Sequence, residues 1–365
     1  MTLLKEIITA LEGVAPLSLQ ESYDNSGLQV GDPRMEVKGI LVTLDVTEEV
    51  LQEAEKLGFN LVVSHHPVLF KGLLSLTGKS STERIIQRAI RRDIAIYSAH
   101  TNFDSVIGGV NTYMADRLGL QQQKILKTDG GALKKLVVFI PRDHLEPVRQ
   151  AMFDAGAGHI GAYDSCSFRL EGTGSFRGSE DSNPFSGEAG KFTEEAEVRL
   201  EIIIPAPLVG KVVNAMTVKH PYEEVAYDIY PLDNTDPRVG MGMIGLLPEA
   251  VDEETFLSIV KESFKCGVIR HTALSGKAVQ KVALCGGAGS FLLSKAKAKG
   301  ADVFITGDVK YHQFFDAEGK IVLMDIGHFE SEQFTRELFY DLLMKKFPKF
   351  AIRLSETQTN PIKYY

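Results

Sequence analysis

The chain has 365 residues, enough for two domains or one large one, and its 44% hydrophobic and 24% charged residues are typical of a globular protein. A formal net charge of -8 argues against nucleic acid as the main partner. Cys166, Cys266 and Cys285 form no CxxC pair, which indicates reduced thiols and no zinc finger. The start shows no signal-peptide pattern, and no apolar run reaches the ~20 residues of a membrane span. We therefore expect a cytoplasmic protein with no membrane association.

The first part of the chain alternates short apolar strands with amphipathic helices. The predicted elements are strands at 39–44, 60–63 and 94–99 and helices at 47–57 and 82–92. This order predicts a mostly parallel sheet with right-handed crossovers. Two successive strands end in polar runs, His65-His66-Pro67 and His100-Thr101-Asn102-Phe103-Asp104. Because ligand sites in such sheets lie at the carboxyl ends of the strands, we expect both runs at one edge.

The pattern changes between residues 127 and 245, where we predict an inserted domain. Strands are predicted at 136–140, 198–204 and 225–230, helices at 145–155 and 208–218, and a long exposed loop at 171–190. Two strand-helix-strand halves are the ferredoxin-like pattern. The prediction is an α/β domain formed by residues 1–126 and 246–365, split by a ferredoxin-like α+β domain at 127–245.

The α/β pattern then resumes and carries a second polar cluster. A predicted strand at 321–324 leads into His328, and Glu332 lies four residues later on the same face of a predicted helix. A Gly-rich loop at 286–290 lies between a strand and a helix. This loop is either a phosphate-binding turn or a plain turn, but it lacks the Gly-Lys-Ser/Thr of a P-loop.

These strand ends together supply five potential metal ligands, three imidazoles and two carboxylates. They are His65, His66, Asp104, His328 and Glu332. Taken singly, such residues are also explained as surface histidines in a turn or as a first-turn Glu stabilised by the helix dipole. Five donors exceed the four of a closed structural zinc site and fit two metal ions sharing one carboxylate. The mixed nitrogen and oxygen set favours Zn, Fe, Mn, Ni or Co over Ca or Mg.

In five stretches spanning both flanks, the chain resembles the GTP cyclohydrolase I type 2 homolog family, also called the Nif-three-like family. The stretches are Asp24–Gly31, Ser64–Pro67, His100–Asp104, Thr306–Asp308 and Gly327–Glu332. The resemblance implies a dinuclear metal centre at the five ligand positions. Among the metals that suit the donor set, we expect Zn, Fe or Mn there. The resemblance also implies an insert similar to PII or CutA, marked by 220–224, and a toroidal homohexamer with metal sites facing an internal cavity. Tyr23 stands where many members have Trp, which leaves the ligands untouched.

Two classes of function fit this pattern. The first is a metal-dependent hydrolase acting on a nucleotide or another phosphorylated small molecule, because paired metals lower the pKa of a bound water. His100 and His312 are then candidates for proton transfer or for orienting ligands, or they are simply hydrogen-bonded histidines of the core or rim. The second is a non-catalytic metal-handling or regulatory protein that binds a small ligand through the PII-like insert.

Overall fold

The computed structural model describes residues 2–128 and 130–365. The chain divides into two compact units, one formed by Met1–Thr128 together with Pro237–Tyr365, the other by Asp129–Asp236. We call the first the split unit and the second the inserted unit. Each has its own hydrophobic core. In the described parts of the chain, no helix has both the length and the apolar character needed to cross a bilayer.

The first segment of the split unit carries five strands and five helices within its described residues. They are α1 (Leu4–Glu12), β1 (Gly27–Val30), β2 (Ile40–Thr43), α2 (Glu48–Leu57), β3 (Leu61–Ser64), α3 (Ser81–Arg91), β4 (Ala95–Ser98), α4 (Thr101–Asp104), α5 (Val110–Arg117) and β5 (Gln121–Thr128). Thr47 and Ser80 cap α2 and α3 by accepting a backbone N–H three residues on.

The inserted unit follows, and then the second segment of the split unit. The inserted unit has β6 (Leu133–Pro141), α6 (Leu145–Asp154), β7 (Ser167–Arg177), β8 (Phe192–Pro205), α7 (Val209–Lys219) and β9 (Tyr227–Pro231). The second segment has β10 (Gly240–Val251), α8 (Glu253–Phe264), β11 (Arg270–His271), β12 (Val279–Leu284), α9 (Leu293–Ala298), β13 (Val303–Thr306), β14 (Val322–Asp325), α10 (His328–Glu332), α11 (Thr335–Lys346) and β15 (Ile352–Leu354).

The split unit contains two sheets instead of the single sheet suggested by the strand order. The first has the order β1-β4-β3-β2-β15, with β1 antiparallel and the other four strands parallel. All residues of β2, β3 and β4 are buried, which explains their unbroken apolar runs. The last strand of the chain, β15, pairs with β2, so both flanks build this sheet.

The second sheet has the order β11-β14-β13-β12-β10-β5 and mixes parallel with antiparallel pairs. Only β12, β13 and β14 run parallel to one another. Strand β10 lies between β5 and β12 and is antiparallel to both. The predicted insert borders at 127 and 245 fall inside β5 and β10, so the ends of the predicted insert are strands of the split unit.

The inserted unit is a four-stranded antiparallel sheet in the order β7-β8-β6-β9 with the helices α6 and α7. Its chain order, β-α-β-β-α-β, is that of the ferredoxin-like unit. The predicted loop at 171–190 is wrong in its first part, because β7 extends to Arg177. Gly172, Gly174 and the mostly exposed face of β7 remove the apolar alternation that identifies a strand.

Candidate metal site

The five predicted ligands come from the carboxyl ends of strands in both sheets of the split unit. His65 and His66 follow β3, where both of their backbone N–H groups donate to the carbonyl of Leu44. Asp104 ends the short helix α4 after β4, and α10, which begins after β14, runs from His328 to Glu332. The carboxyl ends of strands from the two sheets thus bring these side chains together in one cluster.

Glu332 lies at the centre of this cluster and presents its two carboxylate oxygens to different partners. Its Oε2 lies 2.9 Å from His66 Nε2 and 3.0 Å from His328 Nε2. Its Oε1 lies 3.7 Å from His65 Nε2, which in turn lies 3.9 Å from an oxygen of Asp104. Glu332 therefore belongs to two triads of potential metal ligands, one with His66 and His328, the other with His65 and Asp104.

Two polar atoms in the second triad are buried without a hydrogen-bond partner. They are His65 Nε2 and Asp104 Oδ1. Unpaired buried polar atoms are costly, and His65 is fully buried. A metal ion between imidazole and carboxylate would satisfy both, so the residues present fit a divalent cation. The structure therefore contains His and Glu groups that could hold a metal ion.

Each histidine of the cluster is oriented by a hydrogen bond from its other ring nitrogen. His65 Nδ1 donates to the carbonyl of Ala99 at 2.9 Å, His66 Nδ1 to Asp45 at 2.6 Å, and His328 Nδ1 to Asp308 at 2.7 Å. Such bonds fix the tautomer, so that Nε2 is the atom that could bind a metal ion. The orienting roles of Asp45 and Asp308 were not expected from the sequence, although both residues lie just beyond strand ends.

The C-terminal segment reaches back to this cluster, which sequence reasoning also missed. Thr359 Oγ1 donates to Asp45 Oδ2 at 2.6 Å, while the other oxygen of Asp45 holds His66. The segment is anchored upstream by Glu53, which accepts bonds from Ser355 and Thr357. No spacing rule links Thr359 to Asp45, because the contact depends on β15 pairing with β2.

Burial and neighbouring charges shift the pKa values of the ionisable groups in the cluster. Burial, followed by the negative charge of Glu332, raises the pKa of Asp104 to about 7. Burial lowers the pKa of His66, but hydrogen bonds to Asp45 and Glu332 outweigh it and raise the pKa to about 10. Burial also opposes ionisation of Glu332, yet the surrounding imidazoles, His65 first, hold its pKa well below the usual range. Positive charge beside Glu332 is therefore favourable, and a metal would replace protons there.

The Gly-rich loop after β12 packs against Glu332 and is not a phosphate cradle. The N–H groups of Gly286, Gly287 and Gly289 donate to side-chain oxygens of other elements, within the same unit. Gly287 has φ of 56°, and a Cβ there would overlap Glu332 Oε1. The plain-turn interpretation of this loop therefore fits, and its glycine is required by the close approach of Glu332.

A cleft of about 580 Å³ opens over the cluster. His100 lines it, with its ring centroid 5.1 Å from that of His65, and donates from Nδ1 to Asp24 at 2.8 Å. His312 is exposed and contacts Tyr311, and it is not among the described residues that line the cleft. The structure therefore brings His100 to the five predicted ligands but leaves His312 outside.

Comparisons with known proteins agree with this architecture. The family model described as Duf34/NIF3 (NGG1p interacting factor 3) matches residues 2–361. A Bacillus subtilis protein named GTP cyclohydrolase 1 type 2 homolog is 39% identical, over 99% of this chain and 98% of its own. One of the same name from Halalkalibacterium halodurans is 40% identical, over 98% of each chain.

A solved structure of a Bacillus cereus protein related to NIF3 is similar over the whole chain. It has a TM-score of 0.85 and 40% identity, covering 100% of this chain and 99% of its own. The similarity thus includes the strands that carry the clustered histidines and carboxylates. The resemblance noted from the sequence motifs is confirmed: this chain belongs to the Duf34/NIF3 family.

Proposed function

We propose that the split unit holds two divalent metal ions bridged by Glu332 and acts as a metal-dependent hydrolase. The observation that carries this proposal is the division of the two Glu332 oxygens between two triads. His66 and His328 would hold one ion, and His65 and Asp104 the other. A metal pair at this position would supply Lewis acidity and lower the pKa of a bound water. Zn, Fe or Mn suit the mixed donor set.

The residues around the cleft favour a substrate with a planar ring. Tyr23, Phe70 and Phe291 line the cleft and are each more than half exposed, at 67%, 51% and 55%. Exposed aromatic faces stack well on a nucleobase or a similar ring. The described lining residues include no Lys or Arg that could bind a phosphate. The proposed substrate is therefore a nucleotide or other phosphorylated small molecule whose phosphate is placed over the ions.

His100 is the proposed proton carrier for this reaction. Its Nδ1 is fixed by Asp24, which also accepts a bond from Thr101. This arrangement leaves Nε2 directed away from Asp24. The rings of His100 and Phe70 are nearly perpendicular, with 5.5 Å between their centroids. A histidine held in one tautomer beside an ion site can accept or deliver a proton at one defined atom. The exposed His312 has no role in this proposal.

The test is a turnover screen on the metal-loaded full chain. Purified protein loaded with Zn, Mn or Fe is incubated with nucleotides and phosphoesters, beside Glu332→Gln and the metal-free protein. We expect turnover of at least one compound, lost in both controls. No turnover of any compound, together with tight ligand binding, would instead favour a non-catalytic metal-handling or regulatory protein.

The assembly and the character of the inserted unit complete the proposal. We infer a cytoplasmic homohexamer with a PII-like or CutA-like insert, on the family resemblance of the motifs. The β-α-β-β-α-β order of the inserted unit supports its PII-like or CutA-like character. Light scattering at micromolar concentration tests the homohexamer, and a monomer would contradict it.

A further inference from the structure

The inserted unit has a cleft of its own, with aromatic walls. Its volume of about 560 Å³ falls in the ~300–1,000 Å³ range of small-ligand sites. The ring of Tyr222 lies near two phenylalanines, with its centroid 6.4 Å from that of Phe176 and 6.0 Å from that of Phe185. Phe185 is 51% exposed, so much of its ring is open to solvent.

The polar part of this cleft is acidic. Glu197, Glu223 and Glu224 line it, and Arg177 is its one Lys or Arg among the described lining residues. Tyr222 donates its hydroxyl hydrogen to Glu197 Oε1 at 2.7 Å, which fixes that carboxylate beside the rings. The backbone N–H of Asn183 donates to Glu223 Oε1 at 3.0 Å.

Glycine makes room for this arrangement. A Cβ on Gly174 of β7 would overlap the carboxylate of Glu197, which comes from the neighbouring strand β8. Without a side chain at position 174, the carboxylate lies across β7 toward the rings. Burial and the charges of Glu197 and Glu195 raise the pKa of Tyr222, so its hydroxyl stays a donor. The acidic and aromatic groups are thus positioned together.

We propose that this cleft binds a small organic cation that carries N–H donors, with an alkyl guanidinium as the best match. The faces of aromatic rings attract cations, and the effect adds to that of nearby carboxylates. A guanidinium stacks on a ring while its planar fork donates to a carboxylate. An anion would be repelled by three glutamates, and an apolar ligand would desolvate them without compensation. The site does not depend on the function proposed for the split unit.

The first experiment varies the ligand. The full chain is titrated by calorimetry with n-butylguanidinium, with its neutral isostere n-butylurea, and with tetramethylammonium, which has charge but no N–H. We expect saturable binding of the guanidinium, at least about tenfold weaker binding of the urea, and intermediate binding of tetramethylammonium. Equal binding of guanidinium and urea, or no saturable binding of the guanidinium, would overturn the proposal.

The second experiment varies the protein. Glu197→Gln should weaken guanidinium binding about tenfold, and Tyr222→Leu should weaken it while Tyr222→Phe keeps more affinity because the ring remains. Glu171→Gln is the matched control, because Glu171 lies on β7 and pairs with Arg142 instead of lining the cleft. Circular dichroism confirms folding. A folded Glu197→Gln that binds guanidinium as the unchanged chain does would contradict the assignment.

Discussion

The cleft over the metal cluster of the split unit and the aromatic cleft of the inserted unit both present carboxylates, but in different physical states. In the split unit, Asp104 and Glu332 are 8% and 3% exposed and are surrounded by imidazoles. In the inserted unit, Glu223 and Glu224 are exposed and lie beside aromatic rings. The first set has already lost most of its water on folding, whereas the second set has kept it.

This difference predicts which cation each cleft prefers. A compact dication binds best where several dehydrated donor atoms converge on one point, because these donors then replace the water molecules of its hydration shell. A large organic cation is weakly hydrated and gains from ring faces and from carboxylates that remain partly in water. Burial and neighbouring groups, more than the count of acidic residues, thus separate a metal site from an organic-cation site.

The largest expected effect is on the folding of the split unit, and it depends on the borders at which the inserted unit is deleted. Thr128 pairs with Gly240 across β5 and β10, so a short Gly/Ser linker replacing 129–236 can join the two strands. We expect that protein to fold and to keep its metal content. Replacing 127–245 also deletes half of β10 with the buried Met241 and Met243, each worth about 2–5 kcal/mol, and should unfold the split unit.

Thermal denaturation and metal analysis compare the two deletion proteins. Loss of metal from a folded protein lacking 129–236 would show that the inserted unit contributes to the site. A stable protein lacking 127–245 would show that β10 is dispensable.

Gly287→Ala should remove metal by displacing Glu332. The new Cβ would overlap Glu332 Oε1, so we expect metal affinity to fall by about 10- to 100-fold, as for loss of a group that orients a ligand. Gly319→Ala is the control: its φ is also positive, but nothing lies within 4 Å of the added Cβ. Both variants should lose about 1–2 kcal/mol of stability from backbone strain.

Competition with a chromogenic chelator measures the metal affinity of each variant. If Gly287→Ala retains the affinity of Gly319→Ala, the contact between the loop and Glu332 does not position the carboxylate.

The smallest effect should come from the C-terminal segment. Thr359→Val removes the hydrogen bond to Asp45 and should weaken binding of the ion held by His66 about threefold, less than the ~10-fold expected for a direct orienting partner. Thr359→Ser should restore it. Thr357→Val removes a bond of the same type to Glu53 and should leave metal affinity unchanged. A positioning role for Thr359 would be contradicted if Thr359→Ser lost as much metal affinity as Thr359→Val. It would also be contradicted if Thr357→Val lost as much.

Local rules predicted the elements that carry the cluster, but not the contacts that orient it. The apolar run before His65 and the four-residue spacing of His328 and Glu332 are local patterns, so the sequence reveals them. The pairings of Asp45 with Thr359 and of His328 with Asp308 join distant segments that only the folded sheets bring together. Strand β10 was missed because its three glycines imitate turn signals.

Metal content after dialysis, by plasma mass spectrometry, is the most direct test of the central claim that Glu332 bridges two ions. The unchanged chain should retain two ions and Glu332→Gln at most one, because the amide nitrogen cannot ligate and the charge that offsets repulsion between dications is lost. Asp104→Asn should weaken the binding of mainly one of the two ions. Glu337 lies on α11, the helix after α10, and its carboxylate pairs with Arg117. The control variant Glu337→Gln should retain both ions. A folded Glu332→Gln that still carries two ions per chain would contradict the account.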